Sequence, residues 1–268
     1  MHMTDNAMNS TRRLVIRISR NNLSFSTTDG TQVVYEPYQL KSSISTAANL
    51  REALRTVPLL GERYGRVLVM VDSPVLQVPS NEFMEEDAET YYHHSFTNQL
   101  QQKVMYTVLA ELKCVAVFSV HKDLFTVITD EWENARFIPA VTPVWTHLNQ
   151  RSYTGAHSKV YCYFHDRMLE VFSFAQNRFK FCNSFTVNSL EDSLYFILAS
   201  WKQLGFSPEH DELFLTGDVL ERDQMKQELE KYIKRVFLVN PVGEFNRAAV
   251  AQIPGIPYDL VALYVKGL

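Results

Sequence analysis

The chain carries one structural pattern twice. Residues Leu14 to Ser73 read as a three-stranded meander, an amphipathic helix and a buried strand. Residues Val160 to Asp218 repeat that order at an offset of roughly 145 residues, too long for a solenoid repeat and right for a duplicated domain. Two related halves of this kind commonly enclose a ligand cleft. The expected architecture is therefore α/β, with helices packed on mixed sheets in two related halves around a cleft.

In the first half, Leu14, Ile16 and Ile18 share one strand face, followed by Leu23 and Phe25 and then Val33 to Tyr35. Arg20-Asn21-Asn22 and Thr28-Asp29-Gly30 interrupt these runs and predict two tight turns. Leu50, Ala53, Leu54 and Val57 have helical i, i+3, i+4, i+7 spacing, and Pro58 and Gly61 end that helix. Val67 to Val71 is a continuous apolar run of the kind a fully covered strand needs, and it stops at Asp72-Ser73-Pro74. Beyond it, Phe96, Leu100, Val104 and Val108 predict a longer helix. A second buried strand follows at Cys114 to Val120, then a helix over Leu124 to Trp132 and a strand over Phe137 to Val141.

The second half restarts at Val160 with a dense run of aromatic strand formers to Phe185, broken at His165-Asp166-Arg167 and Gln176-Asn177-Arg178. Ser189 with Asp192 forms a capping-box signature, and Gly205 is placed as a C-terminal stop. Leu213 to Leu215 form a short buried strand ending in Thr216-Gly217-Asp218. A charged helix, the strand Val236 to Val239 and a last helix from Pro257 complete the pattern. The expected division is a disordered start over 1–11, a first half over 12–150 and a second half over 157–268, with the polar stretch His147 to Ser158 as the link.

Meander, helix, strand, helix and strand, present twice, resemble the actin-like ATPase fold, the duplicated ribonuclease H-like architecture. The chain is identified as a member of a bacterial family of unknown function with that fold. It is also similar, more distantly, to the cytoplasmic actin-like proteins of type IV pilus and type II secretion assembly. The resemblance implies that phosphates meet one hairpin turn per half, here Arg20, Asn21 and Asn22, and Asp166 and Arg167. It implies an adenosine-docking turn at Thr216, Gly217 and Asp218. An active relative places glycine and a carboxylate in both hairpin turns, because bare backbone lets the N–H groups approach phosphate. Neither turn here contains glycine, the first has no carboxylate, and Asp218 stands at the second glycine of the adenosine turn.

The cleft is therefore expected to have lost its nucleotide chemistry, leaving a non-catalytic scaffold or protein-interaction module with no required cofactor and no catalytic or metal residues. The alternative is an ATP- and magnesium-binding protein or slow ATPase. In it Asp166 organises the metal, Arg20 or Arg167 meets phosphate and Gly217 marks the close approach. A transferase reading needs a general base that none of Asp72, Asp166 and Asp218 identifies.

Other motifs weaken competing functions. There is no Walker A loop, no G-x-G-x-x-G and no G-x-S-x-G. Tyr91-Tyr92-His93-His94 puts its histidines on different helix faces and reads as surface. Glu85-Glu86-Asp87 and Glu89 read as a solvated first helical turn, and His121 with Asp123 as a helix start. A net charge of −4 gives no general pull towards nucleic acid. Cys114, Cys162 and Cys182 form no disulfide framework. With no apolar leader and no membrane-spanning run, the expectation is a cytoplasmic protein with protein partners and no membrane insertion.

Overall fold

The structure, a computed structural model, describes residues 12–96, 101–176 and 178–267. The expected disordered start over 1–11, Leu100 and Asn177 lie outside the described residues. The chain divides into two compact units, residues 1–110 with 114–142, and residues 111–113 with 143–268.

In the first unit, β1 (Arg13–Ile18), β2 (Asn22–Thr28) and β3 (Val33–Gln39) form the antiparallel meander. The second turn is closed by Asp29, whose Oδ1 accepts from the Thr31 and Gln32 amides at 2.8 and 2.9 Å. Helix α1 (Thr46–Thr56) begins where the Ser45 hydroxyl accepts from the Ala48 amide at 3.2 Å. It returns the chain to β4 (Arg66–Val71), parallel to β1. Leu14, Ile16 and Ile18, the helix residues Leu50 and Ala53, and Val67, Val69 and Val71 share one core. Burying side chains of this size stabilises the unit by about 1.5–3 kcal/mol each.

Before the next strand of that sheet the chain builds a second, three-stranded sheet from β5 (Leu76–Pro79), β6 (Gln102–Leu109) and β7 (Cys114–His121), in the order β5-β7-β6. Helix α2 (Ala88–Ser95) covers it, and α3 (Lys122–Glu131) follows β7. The long helix expected through Phe96, Val104 and Val108 is not formed. Helix α2 ends at Ser95, and residues 102–109 are a strand antiparallel to β7, with Tyr106 opposite Val117. A spacing of four satisfies a period of 2 as well as one of 3.6, and the β-branched and aromatic residues Val104, Tyr106 and Val108 decide for the strand. Strand β8 (Arg136–Pro139) then joins β4 in parallel, completing the sheet order β3-β2-β1-β4-β8.

The stretch read as a link is helical at its start. Helix α4 (Thr142–Ser152) buries Val144, Trp145 and Leu148, and the division into compact units falls after Thr142. Then β9 (Lys159–His165), β10 (Met168–Ala175) and β11 (Arg178–Thr186) repeat the meander. Helix α5 (Leu190–Gln203) has Ser189 as its cap, accepting from the Asp192 amide at 3.1 Å. The reciprocal bond reaches one residue further back than a capping box, from the Asn188 amide to Asp192 Oδ2 at 3.0 Å. Strand β12 (Glu212–Gly217) pairs parallel to β9, α6 (Arg222–Glu230) crosses over, and β13 (Val236–Leu238) pairs parallel to β12. The order β11-β10-β9-β12-β13 reproduces that of the first unit. A short α7 (Pro241–Glu244) and α8 (Tyr258–Lys266) follow. No helix of the described residues is long and apolar enough to cross a membrane.

Candidate functional site

In an open sheet of parallel strands, the loops at the carboxyl ends come together and form the natural ligand crevice. In the first unit β1 and β4 run in register, Ile18 beside Val71, so Ser19 and Asp72 leave the sheet side by side. The Asp72 amide donates to Ile18 O at 2.9 Å. These ends, the start of α1 and the β7–α3 junction enclose a cavity of about 580 Å3. Its polar lining includes Arg20, Thr46, Asp72, Ser73, His121 and Asp123.

Each polar group has a local cause. The Ser19 amide and hydroxyl donate to Asn22 O at 3.0 and 3.1 Å, leaving Arg20 and Asn21 exposed at the tip of the turn. Neither tip residue has a positive φ. His121 Nδ1 accepts from the Asp123 amide at 3.3 Å and so caps α3, the helix-start role its sequence position suggested. Among the described residues the charged lining is one guanidinium, Arg20, against two carboxylates, Asp72 and Asp123. That balance supplies no excess positive charge for a polyphosphate.

The second unit gathers the other candidates at the carboxyl edge of its own sheet. Asp166 and Arg167 are the two residues of a tight hairpin between the paired residues His165 and Met168. Both are left-handed, at φ 44° and 63°, as a type I′ turn demands. Glycine would adopt these angles without strain, and here two side-chain-bearing residues hold them. Thr216 is fully buried. Gly217, at φ 82°, pairs with Phe164 on β9. A Cβ there would lie 2.2 Å from Phe164 O and 2.9 Å from the Tyr163 ring. The Asp218 amide donates to the same Phe164 oxygen at 2.9 Å. Asp166, Arg167, Thr216, Gly217 and Asp218 are thus brought together, and Arg20, Asn21 and Asn22 form the matching turn of the first unit.

One polar group in the second unit was not singled out from the sequence. Tyr161, Tyr163 and His165 alternate along β9 with Val160, Cys162 and Phe164, which belong to the core under α5. On the opposite face the Tyr163 hydroxyl donates to the fully buried Asp259 of α8 at 3.2 Å, and the Tyr163 ring stacks on His165 at 4.8 Å. Nearby, Glu244 accepts from His147 Nε2 at 2.9 Å and from Arg151. Burial opposes ionisation of Glu244, but these two hydrogen bonds and the charges behind them hold its carboxyl down at about 2. The signal in the sequence is the alternation along β9, where core-facing Val160, Cys162 and Phe164 leave Tyr161, Tyr163 and His165 to the other face.

No curated protein matches the chain in sequence. Among solved structures it is similar to a Bacteroides thetaiotaomicron VPI-5482 protein with an actin-like ATPase fold and unknown function, at 29% identity and a TM-score of 0.82. That similarity covers 90% of this chain and 94% of the other. It is also similar in fold to a chain of the PilM–PilN type IV pilus biogenesis complex, at 12% identity and a TM-score of 0.52, covering 94% and 96%. The fold is therefore the actin-like ATPase fold, as the repeated sheet order indicates. The family described as protein of unknown function (DUF3822) matches residues 4–236, and the chain belongs to it.

Proposed function

We propose that this protein is a non-catalytic protein-interaction module built on the actin-like ATPase fold. The observation that carries this reading is the pair of hairpin turns without glycine. Arg20 and Asn21 occupy the first, and Asp166 and Arg167 take both left-handed positions of the second. The bare face of Gly217 is already closed against Phe164 and Tyr163, which further reduces the backbone open to a ligand. In the PilM–PilN complex a chain of this fold is assembled with another protein, which supports a docking role on such a scaffold.

A second reading, nucleotide binding, is favoured by the cavity of about 580 Å3 beside Arg20, a volume that suits a small ligand. In that reading Arg20 or Arg167 meets phosphate, Asp166 organises magnesium and Gly217 marks the close backbone approach, with Asn21, Asn22, Thr216 and Asp218 in the same turns.

Thermal melting with millimolar ATP, ADP or GTP and magnesium, paired with a phosphate-release assay, decides between them. A nucleotide at a hundred times its Kd would add about 2.7 kcal/mol, a shift of several degrees. The interaction-module reading expects no shift and no phosphate release. A shift removed by Asp166→Ala or Arg20→Ala would overturn it.

A further inference from the structure

The first unit has a second concave surface away from the turns just described. Among the described residues strand β5 is an edge strand, paired with β7 alone. Beside it runs α2, whose Ala88 and Tyr92 face the sheet and pack with Val115 and Val117. Tyr91 and His94, three residues apart, therefore fall on another face of the helix. With Leu76, Val78 and Glu82 they line a groove of about 410 Å3.

The floor and the rim differ in chemistry. Leu76 and Val78 are half-buried and offer an apolar strip. The rim is acidic: Glu82 lines the groove, and Asp87 accepts from the Tyr91 hydroxyl at 3.3 Å. Glu85, Glu86 and Glu89 are exposed on the same short segment. Among the described residues none of Glu82, Glu86 and Glu89 forms an ion pair. Two of these acidic groups act on the groove wall: after desolvation, Asp87 and Glu86 raise the Tyr91 phenol above its ordinary value. Carboxylates spread over a 3-10 turn and a helix start do not converge on a point as metal ligands do. They suit cations spaced along a chain.

We propose that the β5–α2 groove docks a short basic peptide segment of a partner protein, with apolar side chains seated on Leu76 and Val78 and lysine or arginine set against Glu82, Glu86 and Asp87. This rests on the interaction-module reading and gives the partner its chemistry. Apolar anchors supply the affinity, and the acidic rim supplies selection and salt dependence.

The probe is a fluorescein-labelled octapeptide of alternating leucine and lysine, compared with its leucine–glutamate counterpart by anisotropy on the full chain. The basic peptide is expected to bind at least about tenfold more tightly, and to weaken in 0.5 M salt. The paired reversal Glu82→Lys with Glu86→Lys should cost about tenfold with circular dichroism melts unchanged, because both side chains are exposed. The half-buried Tyr91, changed to Ala, should cost a similar factor, with the fold checked by the same melts. Equal binding of the two peptides overturns the proposal. So does binding that survives both the charge reversal and Tyr91→Ala. Either result with no nucleotide shift removes this groove and leaves the interaction-module reading standing; a nucleotide shift removes that reading independently of the peptide result.

Discussion

A β-carbon on Gly217 would sit 2.2 Å from the carbonyl oxygen of Phe164, so the end of β12 closes onto β9 only because residue 217 has no side chain. The positive φ of 82° adds a second reason. Gly217→Ala is expected to destabilise the protein by roughly 2–4 kcal/mol, measured by urea unfolding, through backbone strain plus a contact that forces the strands apart. A change under about 0.5 kcal/mol, the range of ordinary surface substitutions, would show that this strand end shifts freely.

The three thiols should differ from one another in reactivity. Burial pushes Cys114 up to about 11 and Cys162 further still, while Cys182 is half-buried on the edge strand β11. The thiolate is the reactive form, so at pH 8 both buried thiols are almost wholly protonated as well as covered. Ellman's reagent should modify at most one thiol of the native protein within minutes and all three in urea. Two fast thiols in the native state would require local opening of β7 or β9.

The fold was legible because burial imposes the repeated order independently in each half. Leu14, Ile16 and Ile18 needed a cover on their sheet, and the helix carrying Leu50 and Ala53 supplies it. The inserted sheet was harder to read. Val104 and Val108 satisfy both periods, so the spacing alone does not identify the strand; their β-branched side chains favour it and the pairing with β7 fixes it. The candidate loops were locatable, since turn residues punctuate the chain at Arg20-Asn21 and Asp166-Arg167. Their backbone state was less so: Asp166 is a residue type that tolerates the left-handed region, but Arg167 is not, and its left-handed state is set by the hairpin's register. The Glu244 cluster was invisible for a related reason, because His147 and Arg151 meet a carboxylate more than 90 residues away along the chain.

Asn49 governs the rim of the cavity in the first unit. It is buried, its Oδ1 accepts from the Lys41 amide at 2.8 Å, and its Nδ2 lies 3.0–3.2 Å from the carbonyl oxygens of Lys41, Ile44 and Ser45. One side chain thus fixes the loop that delivers Ser45 to cap α1. Asn49→Ala should cost about 2–3 kcal/mol by leaving backbone groups unsatisfied, and hydrogen exchange over residues 41–48 should accelerate with it. Asn49→Asp should be no better, because a carboxylate cannot donate to the carbonyls. If exchange there stayed at the wild-type rate in both variants, the loop would be held by something other than Asn49.

Glu244 makes the second unit acid-sensitive with a definite sign. Its carboxyl titrates at about 2 in the folded protein, against an ordinary value of 4.5. Burial alone would move it upward; the His147 and Arg151 hydrogen bonds and charges reverse that. A carboxylate depressed on folding stabilises fully above its unfolded value, and the contribution is lost as pH falls towards the folded value. Between pH 5 and pH 2 the protein should lose on the order of 2–3 kcal/mol from this group alone. In Glu244→Gln that part of the acid slope should vanish, so wild type and variant converge in stability near pH 2 and diverge at pH 7. Urea unfolding at pH 7, 5, 4 and 3 measures the difference. Parallel curves for the two proteins would mean that the His147–Glu244–Arg151 contact carries no net stabilisation.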